Sequence, residues 1–119
     1  MKFIDTHCHL YADQFSHDIE TVIANAKTAG VQKCYLPAID SSTHQQMVCL
    51  EEQFPGMFAA MMGLHPCSVK EDFKHELAVA EQWLAKRKFA AIGEIGLDFY
   101  WDTSFTFQQY EALEMQMQQ

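Results

Sequence analysis

Short apolar runs alternate along the chain with longer segments in which apolar residues recur every three or four positions. The short runs predict strands over residues 3–6, 33–36, 58–62 and 90–92. Each run is followed by turn or capping residues and then by a segment with helical spacing. Strand and helix therefore alternate four times, at roughly 30 residues per unit, which is the length of a βα step.

The helical segments are bounded by residues that commonly begin or end a helix. The first segment ends at Gly30, and the second starts with Ser42 and Gln45, which have the spacing of a capping box. The fourth begins near Ser104 and continues to the last residue without a capping signal. Its predicted apolar stripe consists of Tyr110, Leu113 and Met117.

Four βα units in succession predict an α/β fold with a parallel sheet, and two architectures satisfy that prediction. A small, doubly wound open sheet suits the length of 119 residues. The first half of a TIM (β/α)8 barrel suits a chain that ends within a helical segment, because a whole barrel needs about 250 residues.

Composition and charge exclude several classes of protein. The chain is 49% hydrophobic and 20% charged, which is typical of one globular domain. A formal net charge of -8 argues against binding nucleic acid through a basic face, so an anionic substrate would have to meet local positive charge such as a metal ion. Four cysteines without a CxxC pair predict free thiols in a reducing cytoplasm. No apolar run reaches the roughly 18 residues of a membrane span.

The stretch FIDTHCHL, residues 3–10, places two histidines directly after the first predicted strand. Residues i and i+2 of a strand face the same side, so His7 and His9 would point together at the C-terminal end of the sheet. Two neutral imidazoles directed at one point suit a divalent metal. Alternatively, one of them caps the strand and the other is solvated.

Glu94 ends the fourth predicted strand and lies between Gly93 and Gly96 in the stretch AAIGEIGLDFYWD. Burying a lone carboxylate at a strand end is costly, so packing explains this residue poorly. Its two oxygens could bridge two metal ions, whereas the alternative is a solvent-facing glutamate in a turn.

Other polar residues follow the third and fourth predicted strands. His65, in GLHPC, could contact a substrate phosphate or donate a proton, or it could make a structural hydrogen bond. Asp98 is either a turn residue or a substrate contact. Asp5 could orient one of the histidines, and Cys8 is predicted to be a small buried apolar residue. The aromatic run 99–101 could stack on a base or form core beneath the fourth helix.

Taken in order, FIDTHCHL, GLHP and GEIGLDFYWD resemble the TatD family of metal-dependent deoxyribonucleases, in the amidohydrolase-like superfamily of TIM barrels. The resemblance covers the whole chain and implies that residues 1–119 are the N-terminal half of a TatD-like barrel domain. It implies that His7, His9 and Glu94 bind two divalent ions (Mg²⁺, Mn²⁺ or Zn²⁺), with Glu94 shared. The family's loop histidine corresponds to His65, whereas Cys67 stands where many members have a second histidine.

The resemblance implies that the complete enzyme hydrolyses DNA phosphodiester bonds by a two-metal mechanism. The family's other ligands, two histidines and an aspartate, belong to later strands and have no counterpart in residues 1–119. Two alternatives remain open. One is a hydrolase of the same superfamily that acts on a small ester, lactone or amide. The other is an inactive half-barrel that only binds metal, or that associates with a partner or a second copy through its open strand edges.

Overall fold

Three parallel strands form the sheet of the computed structural model, which describes residues Met1–Gln119. In the order β1-β2-β3 they are Phe3–Asp5, Val31–Leu36 and Phe58–Ala60. The helices are α1 (Ile19–Thr28), α2 (His44–Gln53), α3 (Phe73–Lys86) and α4 (Thr106–Met117), with short 3-10 turns at Asp13–Phe15 and Pro66–Ser68. None of the helices combines the length and the apolar character that a membrane crossing requires.

The predicted fourth strand is reduced to a single parallel bridge between Met62 and Ile92. Two main-chain hydrogen bonds continue the pairing. Ala90 N–H donates to Ala60 O at 2.8 Å, and Met62 N–H donates to Ala91 O at 3.1 Å. Gly93 N–H also donates to Met62 O at 3.0 Å, and the ladder stops there, since Gly93 O and Glu94 N bond to Ala38. β3 likewise ends at Ala60 rather than at residue 62.

The predicted capping box of α2 is wrong. The helix begins at His44 after Thr43, and no side chain caps it. The hydroxyl and the N–H of Ser42 both donate to Asp40 Oδ1, at 2.5 and 3.0 Å. Because this carboxylate is the stronger acceptor, the serine closes a turn before the helix and does not cap it.

Helix α4 turns a different face inward from the one its apolar stripe predicts. Tyr110 and Met117 are exposed, whereas Ala112 and two glutamines, Gln109 and Gln116, are buried. The glutamine amides lie inside because they hydrogen-bond to main-chain groups of Leu64 and Asp98 in the loops that follow the strands. The helix packs with α3 over a small apolar cluster of Leu64, Val69, Phe73, Leu77 and Ala112.

Strand β1 lies at the edge of the sheet and is exposed. It pairs with β2 on one side only, and Phe3 and Ile4 are 47% and 60% exposed. The main core instead lies between β2, β3 and the helices, where Leu36, Met47 and Ala60 are fully buried.

His44 is buried at the start of α2 with a relative exposure of 2%, and neither ring nitrogen has a hydrogen-bond partner. Burial lowers the pKa of His44, while the carboxylates of Glu76 and Asp40 partly oppose this effect. The ring is therefore neutral in the folded protein at neutral pH.

We expect His44 to make the protein less stable in mild acid. Its folded pKa lies below its unfolded value of about 6.5, so only the unfolded state gains a proton as the pH falls through that value. The free energy of unfolding should fall between pH 7.5 and pH 5, and His44→Leu should reduce that fall. Urea denaturation at both pH values measures the free energy of unfolding, and His75→Leu, at an exposed histidine, is the matched control. Identical pH dependence in all three proteins would contradict the expectation.

Candidate metal centre

The structure brings His7, His9 and Glu94 together at the C-terminal edge of the sheet. His7 Nε2 lies 3.0 Å and His9 Nε2 lies 3.6 Å from Glu94 Oε2. The two ring nitrogens are 3.2 Å apart. The two histidines therefore share one face, and that face meets the carboxylate.

Main-chain hydrogen bonds hold these three residues in position. Cys8 N–H donates to Tyr35 O at 3.1 Å, which continues the pairing of β1 with β2 between the two histidines. Glu94 N–H donates to Ala38 O at 3.1 Å. Gly63 makes the approach of the glutamate segment feasible, because a Cβ there would lie 3.1 Å from the main-chain carbon and oxygen of Gly93.

The donor set fits a divalent cation. One ligand atom from each of the three residues lies within 4.8 Å of the others, and Glu94 Oε2 is buried without a hydrogen-bond partner. An anionic oxygen left unpaired beside two imidazole nitrogens is costly without a cation. Burial lowers the pKa of His9, although the Glu94 carboxylate opposes the effect, so the neutral form needed for metal binding is favoured.

His65 approaches the other oxygen of the same carboxylate. Its Nε2 lies 3.1 Å from Glu94 Oε1, and its Nδ1 accepts the N–H of Cys67 at 3.0 Å. Because Nδ1 is an acceptor, the proton of a neutral ring resides on Nε2, the nitrogen that faces Glu94. His65 thus accepts a structural hydrogen bond from the Cys67 N–H beside the centre, and a contact to substrate stays a prediction.

Asp98 lies beside this centre rather than in it. Its carboxylate accepts the Cys67 thiol at 3.3 Å and the N–H of Tyr100 at 3.0 Å. The bond from the Tyr100 N–H, followed by that from Cys67, lowers the pKa of Asp98, so it is anionic at neutral pH. Its proposed substrate contact also stays a prediction.

Asp5 does not orient a histidine ring. Its carboxylate accepts the main-chain N–H of His7 at 3.0 Å and groups with Cys8 and Cys34. Burial, and secondarily the Cys34 thiol, raises the pKa of Cys8 to about 12, so it is a neutral, half-buried thiol.

The aromatic run does not form core beneath α4. Tyr100 and Trp101 are exposed and meet edge to face, with ring centroids 4.7 Å apart. Phe99 packs against Tyr110.

Tyr11 contacts the centre although no motif marks it. Its hydroxyl oxygen lies 3.0 Å from His9 Nδ1 and 2.6 Å from the carbonyl oxygen of Pro37. The only sequence signal is its spacing, since residues 7, 9 and 11 continue a strand-like alternation.

A parallel α/β unit that brings two imidazoles and a carboxylate together where its strands end has the donor set found in metal-dependent α/β proteins. The chain belongs to the TatD related DNase family, whose family model matches residues 4–119. It is 36% identical to the uncharacterized metal-dependent hydrolase YjjV of Escherichia coli, over 98% of this chain and 45% of the relative. It is 31% identical to the human deoxyribonuclease TATDN3, over 81% of this chain and 38% of the relative.

Solved structures agree with this membership. The crystal structure of YjjV, a TatD homologue, superposes with a TM-score of 0.89 at 35% identity, covering 98% of this chain and 45% of the other. A TatD-family hydrolase from Entamoeba histolytica gives a TM-score of 0.73 at 20% identity, over 98% and 44% of the two chains, and so supports the fold alone. The chain spans less than half the length of these proteins. The prediction of an α/β unit matching the first part of a TatD TIM barrel is confirmed.

Proposed function

We propose that the protein acts as a TatD-type deoxyribonuclease, a metal-dependent hydrolase that cleaves DNA phosphodiester bonds by a two-metal mechanism. The observation that carries the proposal is the convergence of His7, His9 and Glu94 around an unpaired, buried carboxylate oxygen. The names of the relatives support it, since some are called metal-dependent hydrolases and others deoxyribonucleases. Residues 1–119 would then be the N-terminal half of the hydrolase domain.

Each residue of the centre has a proposed role that follows from its position. His7 and His9 would ligate through Nε2, and Glu94 would ligate through the oxygen that they face. Bound divalent ions supply positive charge to the scissile phosphate and lower the pKa of a bound water. This charge is needed because the chain itself carries a net charge of -8.

His65 and Asp98 would act on the substrate side. His65 Nε2 lies 3.1 Å from Glu94 Oε1 and would help to orient the carboxylate so that Oε2 faces the two histidines. From there it could also present a proton to a phosphate oxygen or a leaving group. Asp98 contacts Cys67 beside the centre and would contact the substrate or a bound water.

The free cysteines support the cytoplasm as the compartment.

An assay with end-labelled single- and double-stranded DNA, with Mg²⁺ or Mn²⁺, tests the proposal. The intact mass should be measured in parallel, so that activity is assigned to the 13.7 kDa chain itself. Metal-dependent cleavage that is abolished by a chelator and by Glu94→Gln would support the nuclease. Hydrolysis of small esters, lactones or amides alone would instead favour the second hydrolase class.

A half-barrel that only binds metal or self-associates is a second candidate, favoured by the apolar surface that the chain exposes. Ile4 lies on β1, the edge strand of the sheet, and is exposed, and Phe107 on α4 is 87% exposed. Surfaces of this kind commonly mark an interface.

If two copies cover these surfaces, sedimentation velocity should show a species of about twice the chain mass. Ile4→Lys and Phe107→Lys should shift it to the monomer, because each variant places a charge in the apolar contact. Thr21→Lys, on the exposed side of α1, is the matched control. A monomer at every protein concentration would exclude this candidate.

A further inference from the structure

The contacts around Tyr11 determine where the proton of His9 resides. The phenol has one proton, and its oxygen lies 2.6 Å from the Pro37 carbonyl oxygen, which can only accept. Two oxygens this close require the proton between them, so Tyr11 donates to Pro37. The oxygen of Tyr11 must then accept at its second contact, 3.0 Å away, and the donor there is His9 Nδ1–H.

A neutral imidazole carries a single proton, so a protonated Nδ1 leaves a lone pair on Nε2. That nitrogen is the one that faces His7 Nε2 at 3.2 Å and Glu94 Oε2 at 3.6 Å. The pair Tyr11–Pro37 thus directs the free lone pair of His9 to the point where the three donors meet.

We propose that Tyr11 is a positioning residue that holds His9 in the Nδ1–H tautomer, with the Nε2 lone pair directed into the candidate metal centre. The inference deepens the proposed function, in that it takes a divalent ion to be the ligand of His9. The tautomer itself is a property of the metal-free protein and can be measured without any ion.

The neighbouring histidine shows that the effect is specific. His65 is held in the opposite tautomer, because its Nδ1 accepts the Cys67 N–H, which leaves the proton on Nε2, 3.1 Å from Glu94 Oε1. The contacts of Tyr11 and of the Cys67 N–H therefore give the two rings different tautomers. His9 keeps a lone pair on Nε2 for a ligand, whereas His65 carries its proton on Nε2. Tyr11 is buried where it contacts His9 and Pro37, so its hydroxyl has little access to water as an alternative donor.

Long-range ¹H–¹⁵N NMR of the metal-free chain tests the tautomer directly. We expect His9 to show the Nδ1–H pattern and His65 to show the Nε2–H pattern. Tyr11→Phe should convert His9 to a mixture of tautomers and leave His65 unchanged. Tyr35→Phe, which removes the hydroxyl of a half-buried tyrosine on β2, should change neither. An Nε2–H pattern for His9 in the unmodified chain would overturn the inference, even if Tyr11→Phe failed to fold.

Calorimetric titration with Zn²⁺ or Mn²⁺ provides the second readout. Tyr11→Phe should weaken binding by about 10-fold or more, as loss of an outer hydrogen bond to a ligating histidine commonly does, while Tyr35→Phe should bind as the unmodified chain does. Unchanged affinity in Tyr11→Phe would overturn the positioning role. A tautomer that depends on Tyr11 in a chain that binds no ion would support the inference and overturn the proposed function.

Discussion

Glu94→Gln should weaken divalent-metal binding by the chain more than any other single replacement. Glutamine keeps the shape of the side chain but removes its charge. Its amide oxygen is the only oxygen that could still accept from His65 Nε2–H, whose nitrogen now lies 3.1 Å from Glu94 Oε1. The amide nitrogen would therefore face His7 and His9 and present protons where a cation would bind. We expect affinity to fall by more than about 100-fold, beyond the usual effect of an outer contact.

Calorimetric titration with Mn²⁺ and Zn²⁺ measures this loss. Glu114→Gln removes the same charge from an exposed position on α4, and Asp98→Asn removes one beside the centre. Both should retain most of the affinity, because neither carboxylate belongs to the three-donor cluster. Equal affinities in Glu94→Gln and the unmodified chain would show that the cluster is not the metal site.

Gln116→Leu should destabilise the protein strongly, although it replaces a polar residue by an apolar one in a buried position. The side-chain amide of Gln116 accepts the N–H of Leu64 at 2.7 Å and donates to its carbonyl at 3.4 Å. Leucine would leave both main-chain groups buried without partners, at a cost of about 1–3 kcal/mol for each unsatisfied group. Urea denaturation should show the loss as a lower midpoint at an unchanged slope.

Gln109→Leu provides an independent test of the same device. Its amide bonds to both main-chain groups of Asp98, each at 2.8 Å. We expect a comparable loss of stability, whereas Gln82→Leu on the exposed face of α3 should change the free energy of unfolding little. If all three variants were equally stable, the buried glutamines would not anchor the helix.

The elements that periodicity specifies could be predicted from the sequence. Strands β1 to β3 and all four helices occur in the predicted order, because apolar spacing indicates which side of an element is packed. The same reasoning anticipated that His7, His9 and Glu94 would lie close together, since parallel strands end at one edge of the sheet.

Contacts to the main chain could not be predicted in this way. The prediction for the inward face of α4 is wrong because Gln109 and Gln116 hydrogen-bond to buried main-chain groups. A pattern of apolar residues does not indicate which main-chain groups lack a partner. The contact of Tyr11 with His9 could not be predicted for the same reason, since it depends on the hydrogen bond from Tyr11 to the carbonyl of Pro37. The capping prediction is wrong because Asp40, two residues before Ser42, accepts hydrogen bonds from both the N–H and the hydroxyl of Ser42.

The anchoring of Asp98 through its backbone has a consequence for engineering. Gln109 holds the N–H and the carbonyl of residue 98, and any residue other than proline offers both groups. The main-chain anchoring of this position, beside the candidate metal centre, therefore does not depend on its side chain. A library of replacements at residue 98 would present different chemistry to an incoming substrate from one fixed point, which makes it a natural place to alter selectivity without redesigning the scaffold.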